Sequence, residues 1–222
     1  QLGDDLPGVA HDAYRVRAPS LKVCFLGDSH APRTLAAAAQ RKGFKLASEI
    51  YDADLVFVSQ DTPTDSEGKR DLKPIREMVT HAFKEGDGKP VILTSQVPPL
   101  FTRSMALPIY HQIETLRIVD AMERAMAPEM HVIGCADPSQ PLPPAYKEYL
   151  AAWDCPKFRV TYEESELTKI AINVFLAAQV DTTNRLAAAA AKIGANWQHV
   201  ALAIRWDKRI GQYAYLKPGR WQ

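Results

Sequence analysis

Cysteine is scarce in this sequence, and its pattern excludes the disulfide-rich and zinc-ribbon classes of protein. The 222 residues contain three cysteines, Cys24, Cys135 and Cys155, which are odd in number and lack C-x-x-C spacing. Such a set forms neither a disulfide framework nor a four-cysteine zinc site. We therefore expect reduced thiols in a cytoplasmic protein, and no metal site.

Long apolar runs and an excess of one charge are also lacking. No apolar run approaches the ~20 residues that cross a bilayer, and no signal-peptide core is present. Lys and Arg total 27 against 26 Asp and Glu, which gives a formal net charge of +1. This balance argues against a nucleic-acid or membrane-surface partner. Because 46% of the residues are hydrophobic and 24% are charged, the composition excludes a disordered chain.

Short apolar runs alternate with helix-prone segments as far as residue 161. This alternation predicts right-handed βαβ units and therefore an α/β domain with a Rossmann-like parallel sheet. The predicted strands cover residues 21–26, 44–50, 54–58, 90–94, 130–134 and 157–161. The predicted helices between them cover residues 34–42, 71–86, 109–127 and 142–153.

The composition changes after residue 162. Residues 163–193 contain neither Pro nor Gly, and their apolar residues recur at helical spacing. Thr161 and Glu164 fit a capping box at the start, and Gly194 suits a left-handed end. The pattern predicts one helix of about 30 residues, roughly 45 Å long at 1.5 Å per residue. Such a helix exceeds a small domain, so we expect a symmetric homodimer through it.

Three parts of the chain follow from these patterns. Residues 1–21 are predicted to be an irregular lead-in, and residues 22–161 a Rossmann-like domain of the NAD-binding type. Residues 162–222 are predicted to form the long central helix and a small helical dimerisation domain, with a shorter helix over residues 197–204.

The turn after the first strand reads Gly27-Asp28-Ser29-His30-Ala31-Pro32. Dinucleotide-binding turns use three glycines so that the backbone approaches a pyrophosphate at a helix N-terminus. Here only Gly27 is present, Ser29 and Pro32 replace the other two, and Asp28 adds a negative charge. Glu49, about 20 residues on, would take the ribose hydroxyls. The alternative is an ordinary strand-to-helix turn, so NAD binding is expected to be weak or absent.

The C-terminal third carries the most specific motif. The segment Glu164-Ser165-Glu166-Leu167-Thr168-Lys169-Ile170-Ala171-Ile172-Asn173-Val174-Phe175-Leu176-Ala177 resembles the central-helix signature of the UDP-glucose/GDP-mannose dehydrogenase family. Further segments follow in the family's order, so the resemblance spans about residues 22–219. They are Ala53–Val58, Thr62–Asp65, Ser95–Pro98, Gly194-Ala195, Asp207–Gly211 and Tyr215–Gly219.

The resemblance implies a reaction in polysaccharide biosynthesis. The family oxidises the C6 alcohol of a UDP- or GDP-sugar twice with NAD, through a thiohemiacetal and a thioester on an active-site cysteine. Lys169 and Asn173 match the family's helix-borne Lys and Asn, which stabilise developing alkoxide charge. Glu114 resembles the glutamate that assists attack of water on the thioester. The alternatives are solvated residues on an exposed face for Lys169 and Asn173, and a first-turn helix carboxylate for Glu114.

The resemblance also implies ligand-binding residues. The residues expected to contact NAD are Gly27, Ser29, His30, Glu49, Thr62, Pro63 and Gln96. Those expected to contact the nucleotide-sugar substrate are Arg209, Tyr215, Leu216 and Lys217. The alternative for Arg209 is a surface ion pair with Asp207.

The chain departs from the family pattern in ways that leave two functions open. Gln96 stands where the family has threonine, Ile118 replaces a second glutamate, and no Gly-Gly-x-Cys segment follows Gly219. The first hypothesis is an NAD-dependent nucleotide-sugar dehydrogenase, which without a cysteine nucleophile would stop at the aldehyde. The alternative is a catalytically silent dimeric homologue that binds a nucleotide, a sugar or a protein partner.

Overall fold

The computed structural model describes residues 21–62 and 64–220. The chain forms two compact units, which divide between Lys169 and Ile170. Within the described ranges, no helix has the length and apolarity that a membrane span requires.

The first unit is an α/β fold built on a seven-stranded sheet. Its strands are β1 (Lys22–Leu26), β2 (Lys45–Leu46), β3 (Leu55–Val58), β4 (Val91–Leu93), β5 (Tyr110–Gln112), β6 (His131–Cys135) and β7 (Lys157–Thr161). Its complete helices are α1 (His30–Arg41), α2 (Lys73–Gly86), α3 (Phe101–Ser104), α4 (Ala121–Met126) and α5 (Pro144–Ala151). The predicted Rossmann-like α/β class is confirmed.

The strand order is β2-β1-β3-β4-β5-β6-β7. From β1 the chain passes to β2 on one side and then returns to place β3 on the other side. In sheets of this kind, ligands bind at the carboxyl ends of the strands where the order reverses, which here is the end of β1 and β3.

Two interpretations of the strand and helix pattern are wrong. The helix predicted over residues 109–127 is instead strand β5, a loop and the short helix α4. The polar side chains of His111 and Gln112 hide this strand in the sequence, but both are buried and hydrogen-bonded to distant residues. The sheet is also not wholly parallel, because β5 and β6 pair in antiparallel register, with His111 opposite Gly134. Apolar patterning marks short buried strands without marking their direction.

Strand β2 is shorter than the predicted 44–50. It lies at the edge of the sheet, pairs only with β1, and exposes both of its residues. The chain then turns into a single 3₁₀ turn over Ile50–Asp52. An edge strand gains hydrogen bonds on one side only, so little holds the alternating segment in extended form.

The core lies on both faces of the sheet. On one face Val56 and Val58 pack with Ile75 and Val79 of α2. On the other face Leu55 and Phe57 pack with Phe44 and with aromatic side chains from the region of α5. These are Tyr146 and Tyr149 on the helix and Trp153 just after it. All four residues of β3 are therefore buried, which explains its continuous apolar run.

The long helix is confirmed as α6 (Tyr162–Lys192), with 31 residues. The capping box forms, because Glu164 Oε2 accepts from the Thr161 backbone N–H at 2.7 Å and Thr161 Oγ1 accepts from the Glu164 N–H at 3.3 Å. Gly194 has a φ of +73° at the helix end, as expected. Helix α7 (Trp197–Ile204) follows in the second unit, capped by the Asn196 side chain.

Candidate functional site

Four strands bring their carboxyl ends to one edge of the sheet. Gly27 follows β1, Ser59 follows β3, Thr94 follows β4 and Ile113 follows β5, and these strands are mutually parallel. Most of the predicted site residues of the first unit come just after one of these strands or after β2, and Lys169 lies on helix α6. This edge is the candidate site.

Gly27 is required by packing alone. Its φ is +127°, and a Cβ placed there would lie 1.8 Å from the carbonyl oxygen of Ser59. Only glycine allows β1 to run so close to the end of β3. This close approach explains the first glycine whether or not a dinucleotide binds.

The turn that follows retains part of a pyrophosphate cradle. Ser29 is the N-cap of α1, but its side chain makes no capping bond, and its buried Oγ has no hydrogen-bond partner among the described residues. The backbone N–H groups of the first turn of α1 point toward that position. Pro32 removes one of these donors, and Asp28 is exposed beside them. His30 is exposed, with Nδ1 3.2 Å from the hydroxyl of Thr34.

Glu49 lies three residues beyond β2 and is exposed. Its charge contributes, after burial, to raising the pKa of Cys24 on β1. A carboxylate beyond the second strand is in the position that binds ribose hydroxyls in dinucleotide folds.

The loops after β3 and β4 are hydrogen-bonded to one another. Ser95 Oγ accepts from the backbone N–H of Gln60 at 2.8 Å, and Thr62 Oγ1 donates to the carbonyl of Gln96 at 3.0 Å. Arg70 donates through Nη1 to Thr62 Oγ1 at 2.8 Å. These bonds hold Thr62 and Gln96 side by side at the strand ends. Pro63 lies outside the described residues.

Glu114 and Lys169 meet beyond β5. The Nζ of Lys169 donates to the backbone carbonyl of Glu114, and the Glu114 carboxylate accepts from the backbone N–H of Leu116. Burial raises the pKa of the Glu114 carboxyl, an effect that the nearby ammonium of Lys169 partly opposes. Burial also lowers the pKa of Lys169. A carboxyl of raised pKa beside a partly desolvated ammonium can hold or move a proton and stabilise an oxyanion.

The position of Glu114 in the fold shows that its alternative interpretation, a carboxylate in the first turn of a helix, is wrong. It is not in the first turn of a helix, because it follows a strand and the next helix begins at Ala121. Its perturbed pKa therefore comes from burial and not from a helix dipole. Likewise, Lys169 is buried enough to exclude a solvated surface lysine.

Comparison with known proteins finds similarity to one family. Residues 163–221 match the model of the UDP-glucose/GDP-mannose dehydrogenase family, central domain. UDP-glucose 6-dehydrogenase of Rickettsia conorii is 29% identical over 176 residues, which cover 74% of this chain and 40% of that protein. Residues 163–221 are thus similar to the central domain of that family, and most of the chain is similar to a UDP-glucose 6-dehydrogenase.

Two solved structures share the fold of this chain. A UDP-glucose dehydrogenase from Pyrobaculum islandicum superposes with a TM-score of 0.73 at 21% identity, covering 91% of this chain and 60% of that one. A GDP-mannose dehydrogenase from Pseudomonas aeruginosa gives 0.66 at 24% identity, covering 81% and 46%. The chain spans about two fifths of the length of the curated relative described above.

The second unit contains the remaining residues that the family resemblance predicts to be in the site. Asn173 lies on α6, and Arg209 forms a two-point ion pair with Asp207, at 3.0 Å and 2.7 Å. The exposed guanidinium of Arg209 therefore forms the surface ion pair with Asp207 that was expected as the alternative to substrate binding.

The loop over residues 215–217 is fixed through its backbone. The Tyr215 N–H donates to Gln179 Oε1 at 3.0 Å, and its carbonyl accepts from Thr183 at 2.6 Å. Trp197 Nε1 donates to the carbonyl of Leu216 at 2.9 Å, and Lys217 is exposed. The backbone bonds hold Tyr215 and Leu216 against the helices of this unit.

The three cysteines of this chain are unsuited to nucleophilic attack. Cys24 and Cys135 are buried, and Cys155 is partly exposed. Burial raises the pKa of each thiol, to about 11 for Cys135. Since the thiolate is the nucleophile, a raised pKa makes a thiol inert. No group of three potential metal ligands occurs in the part of the chain that the structure describes.

Two polar residues that sequence reasoning did not single out support the site. Arg70 joins the Thr62 and Gln96 loops, and nothing in its local sequence signals this role. Glu166 is 1% exposed and accepts backbone bonds from Leu100 and Thr102. Its place three residues before Lys169 was the one available signal, because positions three apart share a helix face.

Proposed function

We propose that this nucleotide-sugar dehydrogenase-like chain binds NAD and a UDP- or GDP-sugar and oxidises the sugar's C6 alcohol. The observation that carries the proposal is the half-buried ammonium of Lys169, held at the carbonyl of Glu114 beside a carboxyl of raised pKa. A surface lysine has no reason to be desolvated, whereas an oxyanion-stabilising one gains strength from it.

The turn after β1 fits NAD in part. Gly27, the α1 N-terminus and the unpartnered hydroxyl of Ser29 suit a pyrophosphate, with Glu49 in place for the ribose. Pro32 and Asp28 weaken that fit. We therefore propose weak NAD binding by this turn, supplemented by the Thr62–Gln96 loops. When bound, NAD supplies the hydride acceptor.

The residues of the chain divide the remaining work. Lys169 stabilises negative charge on the C6 oxygen, and Glu114 holds or takes a proton through its free carboxylate oxygen. In the second unit, Asn173 and Arg209 are proposed to contact the substrate, together with Tyr215, Leu216 and Lys217. The roles of Lys169 and of the residues in the second unit are supported by the family match over residues 163–221, and the role of Glu114 is supported by its contact with Lys169.

A second candidate is a catalytically silent homologue that binds a nucleotide, a sugar or a protein. The inert cysteines and the charge of Asp28 favour it. Both candidates share a dimeric, cytoplasmic protein with the boundaries proposed above, 22–161 and 162–222. The exposed Val174 and Phe175 on α6 support the dimer.

Titration calorimetry and NADH formation distinguish the two candidates. The natural protein is titrated with NAD, UDP-glucose and GDP-mannose, and absorbance of NADH is then followed with each sugar. Turnover that disappears in Lys169→Ala supports the dehydrogenase. Sugar-nucleotide binding without NADH formation supports the silent homologue, and no binding of either ligand contradicts both ligand-binding proposals.

A further inference from the structure

Glu166 is a buried carboxylate whose partners are backbone amides. The residue is 1% exposed, and its two oxygens accept from the N–H groups of Leu100 and Thr102, each at 2.7 Å. Its neighbour Glu163 instead makes a partly exposed ion pair with Arg103. Bonds from backbone N–H groups to a charged oxygen are among the stronger hydrogen bonds. Burial of a charged carboxylate costs free energy unless hydrogen bonds compensate for the lost water, so these two backbone bonds are what allows Glu166 to be buried.

The partner segment contains a backbone conformation that is unfavourable for its residue type. Leu100 has a φ of +76°, in the left-handed region that non-glycine residues avoid. Its side chain is 62% exposed, so side-chain packing does not compensate for the unfavourable backbone. Two contacts hold this turn: the Leu100 N–H donates to Glu166, and the Phe101 N–H donates to the Pro98 carbonyl at 3.2 Å.

This segment is continuous with the candidate site. It begins at Ser95 and Gln96, which bond to the loop of Gln60 and Thr62. At the other end, Glu166 lies three residues before Lys169 on the same helix. The carboxylate therefore connects the helix that carries Lys169 with the loop that carries Gln96.

We propose that Glu166 is a positioning residue that fixes residues 95–102 against helix α6. Its effect on ligand binding rests on the proposed function, because Gln96 is a proposed NAD contact. Its effect on the segment does not depend on any ligand, so the two are tested separately.

Amide hydrogen exchange of the ligand-free protein tests the contact. Glu166→Gln keeps one acceptor oxygen and turns an amide N–H₂ toward a backbone N–H. We expect the Leu100 and Thr102 amides to exchange about tenfold faster or more, the usual effect of losing a charge-assisted bond. Glu163→Gln is the matched control, with less than about a threefold effect because its ion pair is exposed.

Leu100→Gly provides the rescue. Glycine takes a positive φ without steric cost, so Leu100→Gly in the Glu166→Gln background should restore part of the protection at Thr102. If Glu166→Gln unfolds the chain, two other single variants are used in its place, Glu166→Asp and Leu100→Gly. Leu100→Gly should then raise the midpoint of denaturant unfolding. Unchanged exchange in Glu166→Gln, equal effects in the two Gln variants, or a lowered midpoint in Leu100→Gly overturns the proposal.

Steady-state kinetics with NAD and UDP-glucose tests the consequence. Glu166→Gln should raise KM for NAD several-fold and leave kcat within about twofold, since Lys169 is untouched. A residue that only stabilised the fold would lower kcat through the folded fraction and leave KM unchanged, which would overturn the positioning role. If the natural protein forms no NADH, the proposed function fails, and the exchange experiment still decides the contact.

Discussion

At the scale of single residues, Lys169 is the side chain on which the proposed chemistry depends. Its ammonium is partly desolvated and lies at the carbonyl of Glu114. Lys169→Ala should lower kcat by about 10²-fold or more, as loss of one oxyanion donor does. Circular dichroism should show an unchanged fold, because alanine is compatible with helix α6 and the substitution removes one polar contact.

The cysteines provide the comparison for that variant. Cys135→Ser and Cys155→Ser should leave turnover nearly unchanged, because burial keeps both thiols protonated. If a cysteine variant abolished turnover while Lys169→Ala did not, the assigned site would be wrong.

Gly27 yields a residue-scale prediction about stability. A Cβ at this position would lie 1.8 Å from the Ser59 carbonyl oxygen at a φ of +127°. Gly27→Ala should therefore cost about 3 kcal/mol or more in the free energy of unfolding, measured by urea denaturation. Gly68→Ala is the control, since Gly68 also has a positive φ, +80°, but has open space around it. It should cost only about 1 kcal/mol, and equal costs would show that sterics at Ser59 are unimportant.

At the scale of elements, strands β5 and β6 carry buried histidines that tie stability to pH. Burial lowers the pKa of His111 and of His131 from 6.5 to about 4. The unfolded chain therefore binds more protons between pH 6.5 and 4, so stability is complete above about 6.5 and falls as the pH drops toward 4. By linkage, each histidine should account for about 2 kcal/mol lost between pH 7 and 4.5.

Variants separate this effect from that of the carboxylates. His131→Phe should reduce the loss of unfolding free energy between these two pH values, measured by urea denaturation at each. His81→Phe, an exposed histidine on α2, should leave the loss unchanged. An identical pH dependence in all three proteins would contradict the assignment to buried histidines.

The elements also show what a sequence can predict. Strand β3 and helix α6 were predictable because their signals are local: a continuous apolar run, a capping box and a terminal glycine. Strand β5 was not, because His111 and Gln112 are buried through bonds to Ser165 and Tyr146, more than 30 residues away. Glu114 follows that strand, so its burial and the raised pKa of its carboxyl could not be predicted from the sequence either. Its identity as a candidate came from the motif, and its chemical setting from tertiary structure.

At the scale of the whole molecule, the apolar surface of α6 predicts self-association. Phe175 is 72% exposed and Val174 60%, and both lie within the segment Glu164–Ala177 of the helix that we expect to form a dimer. Exposed apolar residues this large are unfavourable in water unless a partner covers them. Light scattering at micromolar concentration should give twice the monomer mass, and Phe175→Asp should reduce it to the monomer mass.

Tyr51→Asp is the matched control, because Tyr51 is 71% exposed but lies in the first unit. It should remain dimeric, since a charge disrupts only the surface that is buried on association. A monomer mass for the natural protein would contradict the dimer, and dissociation by Tyr51→Asp alone would place the interface in the first unit.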